Sequence, residues 1–206
     1  MSTKDAPDSP DRSRRPAAGP TEHFEALRAA LDGNLRPACA RINIWGDQLA
    51  RVYQHDGRLF ASGNGGSAAE AQHLTAELTG RFRHERQPLS AIALHAETSS
   101  TTTIVNDHGP EEMFARQLRA HGRAGDVLIA LFTSGASANV VAAAKTGQEI
   151  GMLTWALTGP SPNPLAALCD DAIAIEGADV PTVQEIHLVL VHALCDVLDE
   201  ALEGGS

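Results

Sequence analysis

From Arg58 onward the chain alternates between short apolar runs and longer segments with one apolar face. The runs are Leu59–Ser62, Leu89–Leu94, Val127–Phe132, Leu153–Leu157 and Ala172–Ile175. Between them lie amphipathic segments at about Ser67–Phe82, Glu111–His121, Ser137–Ile150 and Asn163–Cys169. The runs are strand-length and the segments helix-length. This order predicts an α/β architecture: a doubly wound, parallel five-stranded sheet with helices on both faces. Ligands of such sheets bind beyond the carboxyl ends of the strands. Three runs end there in turn-forming or hydroxyl residues: Gly63-Asn64-Gly65-Gly66-Ser67, Thr133-Ser134-Gly135-Ala136-Ser137 and Thr158-Gly159-Pro160.

Ahead of the alternating region, apolar positions from Phe24 to Val52 repeat with helical spacing over about Glu22–His55. Gly33 and Pro37 interrupt that pattern, so two helices joined by a bend are expected. A final apolar-faced segment, about Thr182–Leu202, predicts a long helix. The expected organisation is a disordered tail at 1–21, then a single domain at 22–206. That domain comprises N-terminal helices at 22–56, a sheet core at 57–178 and a C-terminal helix at 181–203. There is no internal repeat.

With 206 residues, 43% of them hydrophobic, the chain can bury one sizeable core. A net charge of −10 argues against broad phosphate-backbone binding, and 4% aromatics against a base-stacking platform. Neither nucleic acid nor membrane is an expected partner. No apolar stretch reaches the roughly 20 residues that span a bilayer. Residues 1–21, rich in Pro, Ser, Asp and Arg, lack the apolar stretch of a signal peptide. Cys39, Cys169 and Cys195 form no CxxC pair, which fits a reducing, cytoplasmic setting; each is expected to be a small buried apolar residue.

Chemistry concentrates in the turns and the helices that follow them. A glycine-rich turn that feeds a helix N-terminus presents backbone N–H groups to an anion. Gly63–Ser67 does so after one strand and Thr133–Ser137 after another, where hydroxyls add to the amides and suit a phosphate monoester. Ser137 also fits a plain helix N-cap. There is no Gly-Lys-Ser/Thr, so nucleotide hydrolysis is unsupported; the third glycine of the dinucleotide fingerprint and its acidic partner are missing, which disfavours NAD.

His73 and Glu77 stand four apart, side by side on a helix and about 6 Å apart along its axis. They suit a shared metal ion, an acid–base pair or a merely solvated pair. The last helix carries Gln184, Glu185, His187 and His192 among apolar residues. Gln184 and His192 are about 80° apart around that helix and roughly 12 Å along it. One ion reaches both only through long converging side chains or ligands from two subunits. On spacing alone His187 is as good a ligand as His192, and a hydrogen-bonded core histidine is the plain alternative for either.

Four stretches in this order resemble the phosphoheptose isomerases: Gly63–Arg81 (GNGGSAAEAQHLTAELTGR), Val105-Asn106-Asp107, Thr133-Ser134-Gly135 with Ser137-Ala138-Asn139-Val140, and Val183-Gln184-Glu185-Ile186-His187 with His192. These enzymes convert sedoheptulose 7-phosphate to D-glycero-D-manno-heptose 7-phosphate on a sugar-isomerase (SIS) fold, and the resemblance spans about residues 22–203. It implies a homotetramer with active sites between subunits and one zinc ion per subunit on His73, Glu77, Gln184 and His192, preferring His192 to His187. It further implies Glu77 as the base that moves a proton between C1 and C2, with His192 as the partnering acid–base. Asn64, Gly65, Gly66, Ser67, Glu77, Asn106, Asp107, Thr133, Ser134, Ser137 and Gln184 would hold the sugar phosphate.

The chain departs from the family's usual Ser-Thr-Ser-Gly-Asn-Ser loop, with Phe132 lacking a hydroxyl and Ala136 an amide; Thr182 stands where arginine is often found. These departures keep open an isomerase for another sugar phosphate. A different class, a non-catalytic tetramer of the same fold that binds the replication initiator protein, lacks the full acid–base set. The presence of Glu77, Gln184 and His192 favours the enzyme.

Overall fold

A computed structural model describes residues 19–204. Five strands, β1 (Leu59–Ser62), β2 (Ala91–Ala93), β3 (Val127–Phe132), β4 (Leu153–Thr158) and β5 (Asp171–Ala174), form one parallel sheet in the order β2-β1-β3-β4-β5. Seven helices accompany them among the described residues: α1 (Pro20–Gln54), α2 (Gly66–Thr79), α3 (Thr98–His108), α4 (Glu112–His121), α5 (Ala138–Ile150), α6 (Pro164–Leu168) and α7 (Val180–Glu203). The expected doubly wound architecture is present.

Alternate strand residues feed two separate cores, as the pleat requires. Leu59, Ala61, Ile129, Leu131, Trp155 and Leu157 face α1, α2 and α7. Phe60, Leu128, Ala130 and Ala156 face α4, α5 and α6, where they meet Phe114, Leu118 and Val140. On the first face Trp45 of α1 stacks on Trp155 of β4 at 4.9 Å, and its indole N–H donates to Asp171 Oδ2 at 2.8 Å.

Three expectations about the outer elements are corrected. The N-terminal pattern is one 35-residue helix, not two, with Pro37 inside it. Pro37 removes one N–H, and its ring crowds the carbonyl of residue 33, which is a glycine. Packing on both sides of the proline outweighs the interruption: Ala30, Ala38, Ile42, Trp45 and Leu49 are all buried in the same core. The helix also starts at Pro20, so Pro20 and Thr21 are helical rather than part of a tail; residues 1–18 of the expected tail lie outside the described residues. Finally, α7 is long and apolar enough to cross a membrane by length and composition, with mean hydropathy 1.2 over its most apolar window. Its apolar stripe, Val183, Ile186, Leu190, Val191, Leu194 and Leu198, packs in the core against α1 and α2.

The helix α3 was not anticipated. Six of its eleven residues are Ser or Thr, and only Ile104 is buried, so it lacks the apolar periodicity that marks a helix. Glu97 starts it, accepting from Ser99 N at 3.1 Å and from Ser100 N. Of the three free cysteines only Cys195 is buried; Cys39 is exposed and Cys169 intermediate, contrary to the expectation for both.

Candidate active site

The two turns that the sequence singles out stand at the carboxyl ends of neighbouring strands. β1 continues to β2 on one side and borders β3 on the other, so the strand order reverses between them. Such a switch point opens a crevice where ligands bind. The first turn is tied to the start of α5, the helix that follows the second: Asn64 Nδ2 donates to Asn139 Oδ1 at 2.9 Å, and Asn139 Nδ2 returns a bond to Asn64 Oδ1 at 3.0 Å.

The first turn passes through Gly65, in the left-handed region at φ 58°, and enters α2 without a side-chain cap. At Gly66 a Cβ would overlap the side-chain amide of Gln184, so the glycine leaves that amide its place against α2. Gln184 thus rests against the start of α2, two helical turns before His73. Ser67 is buried.

The second turn is braced from behind. Gly135, at φ 62°, sits against the Asn163 amide; that amide donates to Thr158 Oγ1 at 3.1 Å and accepts from Ala166 N at 2.9 Å. Gly159 N donates to Thr133 O at 3.0 Å. Ser137 occupies the N-cap of α5, yet its side chain makes no cap bond. Capping therefore does not account for its hydroxyl. Thr133 and Ser137 are half-buried and Ser134 is exposed. Phe132 packs into the core beneath α4–α6, and Thr182 is buried in the first turn of α7, where its N–H donates to Asp179 at 3.1 Å.

Further along, α2 and α7 bring three donor groups together. His73 Nε2 lies 2.9 Å from His192 Nε2 and 3.4 Å from Glu77 Oε1. The ligand atoms of His73, Glu77 and His192 all lie within 4.8 Å of one another. Two imidazole nitrogens that face each other this closely require one proton or one cation between them. Two imidazoles and a carboxylate are a donor set that zinc accepts, so the residues present fit that ion. The side chains keep partial solvent access, 40% for His73 and 21% for Glu77. Phe82 stacks on the His192 ring at 5.6 Å.

Beneath this cluster, Arg86 closes the end of α2. It donates to the backbone oxygens of Glu77 and Leu78, both at 2.9 Å, and to Asp199 Oδ1 of α7 at 2.7 Å. These carbonyls belong to the last turn, where a helix has no internal donors left. Nearby, burial pushes the Cys195 thiol up to about 12, and the Glu77 charge adds to the shift.

The structure separates the two histidines that spacing left equal. His187 is fully buried; its Nε2 faces Thr158 O at 3.2 Å and its Nδ1 faces Glu70 Oε2 at 3.6 Å. It is a core histidine, and only His192 joins the donor cluster. Asn106 and Asp107 are exposed near the end of α3 and bonded to each other at 2.7 Å; no hydrogen bond joins them to either turn among the described residues.

Arg86 and Asn139 were not anticipated as parts of the site. Asn139 falls within a motif stretch and Arg86 sits before a Gln-Pro, but nothing in their spacing marks their partners. His95 lies two residues beyond the end of β2. Both its ring nitrogens are buried without a hydrogen-bond partner, and burial depresses its basicity.

Comparison with known proteins agrees with this geometry. The SIS-domain family model matches residues 22–159. The phosphoheptose isomerase of Streptomyces coelicolor is 57% identical over 184 residues, covering 89% of this chain and 79% of that protein. The structure of phosphoheptose isomerase from Neisseria gonorrhoeae superposes with a TM-score of 0.81 at 38% identity, covering 87% of this chain and 96% of that one. One from Francisella tularensis gives 0.82 at 31% identity, with the same coverage. The chain therefore belongs to the SIS-domain family, among its phosphoheptose isomerases.

Proposed function

We propose that the protein is an aldose–ketose isomerase that interconverts D-sedoheptulose 7-phosphate and D-glycero-D-manno-heptose 7-phosphate. The observation that carries this reading is that the first turn opens α2, which gathers His73, Glu77 and His192 with α7, while Asn64 of that turn is bonded to Asn139 of the helix that follows the second turn.

Moving a carbonyl from C2 to C1 needs ring opening, removal of a proton beside the carbonyl, and an enediol(ate) intermediate. Glu77 is the base that carries the proton between C1 and C2, and its carboxylate is suited to that transfer. His192 is the acid–base partner that moves protons at the substrate oxygens. Both turns, through Asn64, Gly65, Gly66, Ser67, Thr133, Ser134 and Ser137, hold the far end of the sugar phosphate, so that binding at the phosphate orients the reacting carbons. Gln184 positions the substrate at the start of α2. Asn106 and Asp107 complete the grip from α3 when the site closes or when a second subunit abuts it. His73, Glu77, Gln184 and His192 would hold one zinc ion per subunit, which supplies charge stabilisation to the intermediate's oxygens.

A homotetramer in the cytoplasm is part of this reading. Exposed Leu35 and Ile44 on α1 and Leu188 and Val189 on α7 support it as residues that a second subunit would cover. Sedimentation velocity reads the assembly directly.

The decisive experiment is a panel of seven- and six-carbon ketose phosphates assayed by proton–deuterium exchange beside the carbonyl, with and without added zinc. Exchange with sedoheptulose 7-phosphate is the expected result. No exchange with any member overturns the enzyme reading; exchange only with another member moves the substrate assignment, the alternative that Phe132 and Ala136 keep open.

A further inference from the structure

Asn64 belongs to the expected sugar-phosphate contacts, but its amide is already engaged. A side-chain amide offers two N–H donors and two acceptor lone pairs. Asn139 uses all four of its own. One N–H goes to Asn64 Oδ1 at 3.0 Å and the other faces Met113 Sδ at 3.8 Å. Its oxygen accepts from Asn64 Nδ2 and from Val140 N, both at 2.9 Å. Asn64 is left with one N–H and one lone pair, and the reciprocal pairing forbids its amide to flip.

From this geometry we infer that Asn139 is a positioning residue for the substrate site. It presents Asn64 to the sugar phosphate in a single amide orientation, and it locks the β1–α2 turn to the start of α5, so that the two anion-binding turns keep a fixed separation. The four-way saturation of Asn139 is what makes it a strap and not a ligand: no donor or acceptor remains for the substrate. Met113 of α4 and the Val140 amide hold Asn139 itself in place, which extends the strap from β1 across β3 to α4. Ligand binding then meets a site whose two halves need no rearrangement, the condition under which binding energy is not consumed by ordering loops. This inference rests on the sugar-phosphate reading given above.

Two double-mutant cycles on the full-length protein test it, with Asn64→Ala, Asn139→Ala and the double variant. In the kinetic cycle, Asn139→Ala should raise KM for sedoheptulose 7-phosphate about tenfold, the scale of one lost hydrogen bond to a fixed partner, with kcat within about threefold. In the Asn64→Ala background the same change should have almost no further effect on KM. In the unfolding cycle, by denaturant titration without substrate, the two substitutions should likewise be less than additive. Asn139→Asp adds a charge-sensitive arm: it removes both N–H donors while keeping the volume, and should raise KM at least as much as alanine does. Additivity in either cycle overturns the inference. A wild-type protein inactive on every sugar phosphate overturns the isomerase reading instead, and the unfolding cycle still decides whether the two amides act as one unit.

Discussion

Two histidines five residues apart on α7 have opposite surroundings. His187 is sealed between the sheet and α2, with Thr158 O on one side of the ring and Glu70 on the other. His192 is half-buried under Phe82 and turns its Nε2 toward His73 and Glu77. The same helix thus runs from a sealed core histidine to an open cluster of donors. In the first, one ring nitrogen bonds Thr158 O while the other lies 3.6 Å from Glu70, beyond hydrogen-bond distance, and burial keeps both from any ligand. In the second, the donors converge on each other and on a space that solvent reaches, which is what an ion or a substrate requires. Residue type does not distinguish the two; the neighbours do.

The contrast breaks most sharply at Glu77. Glu77→Gln should lower kcat by about 10²- to 10⁴-fold, the usual contribution of a positioned proton carrier, while Tm stays within a few degrees of wild type. The proton–deuterium exchange assay and a thermal melt read the two quantities separately. A large loss of Tm would place Glu77 with the structural residues.

Arg86 stands where the open cluster meets the buried layer. Arg86→Met leaves Asp199 buried without its partner and the last carbonyls of α2 without donors. An expected loss of about 3–5 kcal/mol of unfolding free energy follows, the scale of breaking a buried pair from one side. Denaturant unfolding measures it, and residual kcat on the folded fraction shows how far Glu77 has shifted.

The histidines themselves should respond in opposite ways. His192→Gln is expected to lower kcat by about 10²-fold with little change in Tm, and to weaken zinc retention measured by metal analysis after dialysis. His187→Gln is expected to remove about 1–3 kcal/mol of stability, by taking from Thr158 O the hydrogen bond of the buried ring, with kcat within a few-fold. Equal kinetic losses in both variants would erase the distinction between the two ends of α7.

The smallest expected effect concerns His95, a third histidine, half-buried with both ring nitrogens shielded from solvent. Burial lowers its basicity below the ordinary imidazole value of 6.5 in the folded chain. As pH falls below about 6.5, the unfolded chain binds a proton that the folded ring refuses. The stabilising share of the neutral ring is therefore complete above that value and is lost progressively down to the folded pKa. The Tm of wild type should fall faster than that of His95→Gln between about pH 7 and pH 5. Parallel curves would show that His95 does not sense pH.

The strands were legible because each is a compact apolar run between polar segments. β1 and β3 begin and end where the pattern places them, and β4 extends by a single residue, Thr158. Helix α3 was not legible, because Ser and Thr carry it and one residue alone is buried. The unbroken α1 was hidden for the opposite reason: Pro37 is a strong local signal, and only packing along the whole face of the helix outweighs it. At the site, Gly63–Ser67 and Thr133–Ser137 could be read as anion turns from glycine and hydroxyl content. Their connection through Asn64 and Asn139 joins residues 75 positions apart and leaves no periodic trace.

By itself the amino-acid order determined the layered α/β fold, the two turns and the four-residue spacing of His73 and Glu77, because strand length, helix period and turn chemistry act over a few neighbouring residues. Tertiary structure decided that His192 and not His187 faces that pair, that Gly66 makes room for Gln184, and that Arg86 closes the helix bearing Glu77. The first two depend on how α7 lies against α2, and Arg86 is held at the helix end by Asp199, 113 residues away, so all three involve segments distant in the chain.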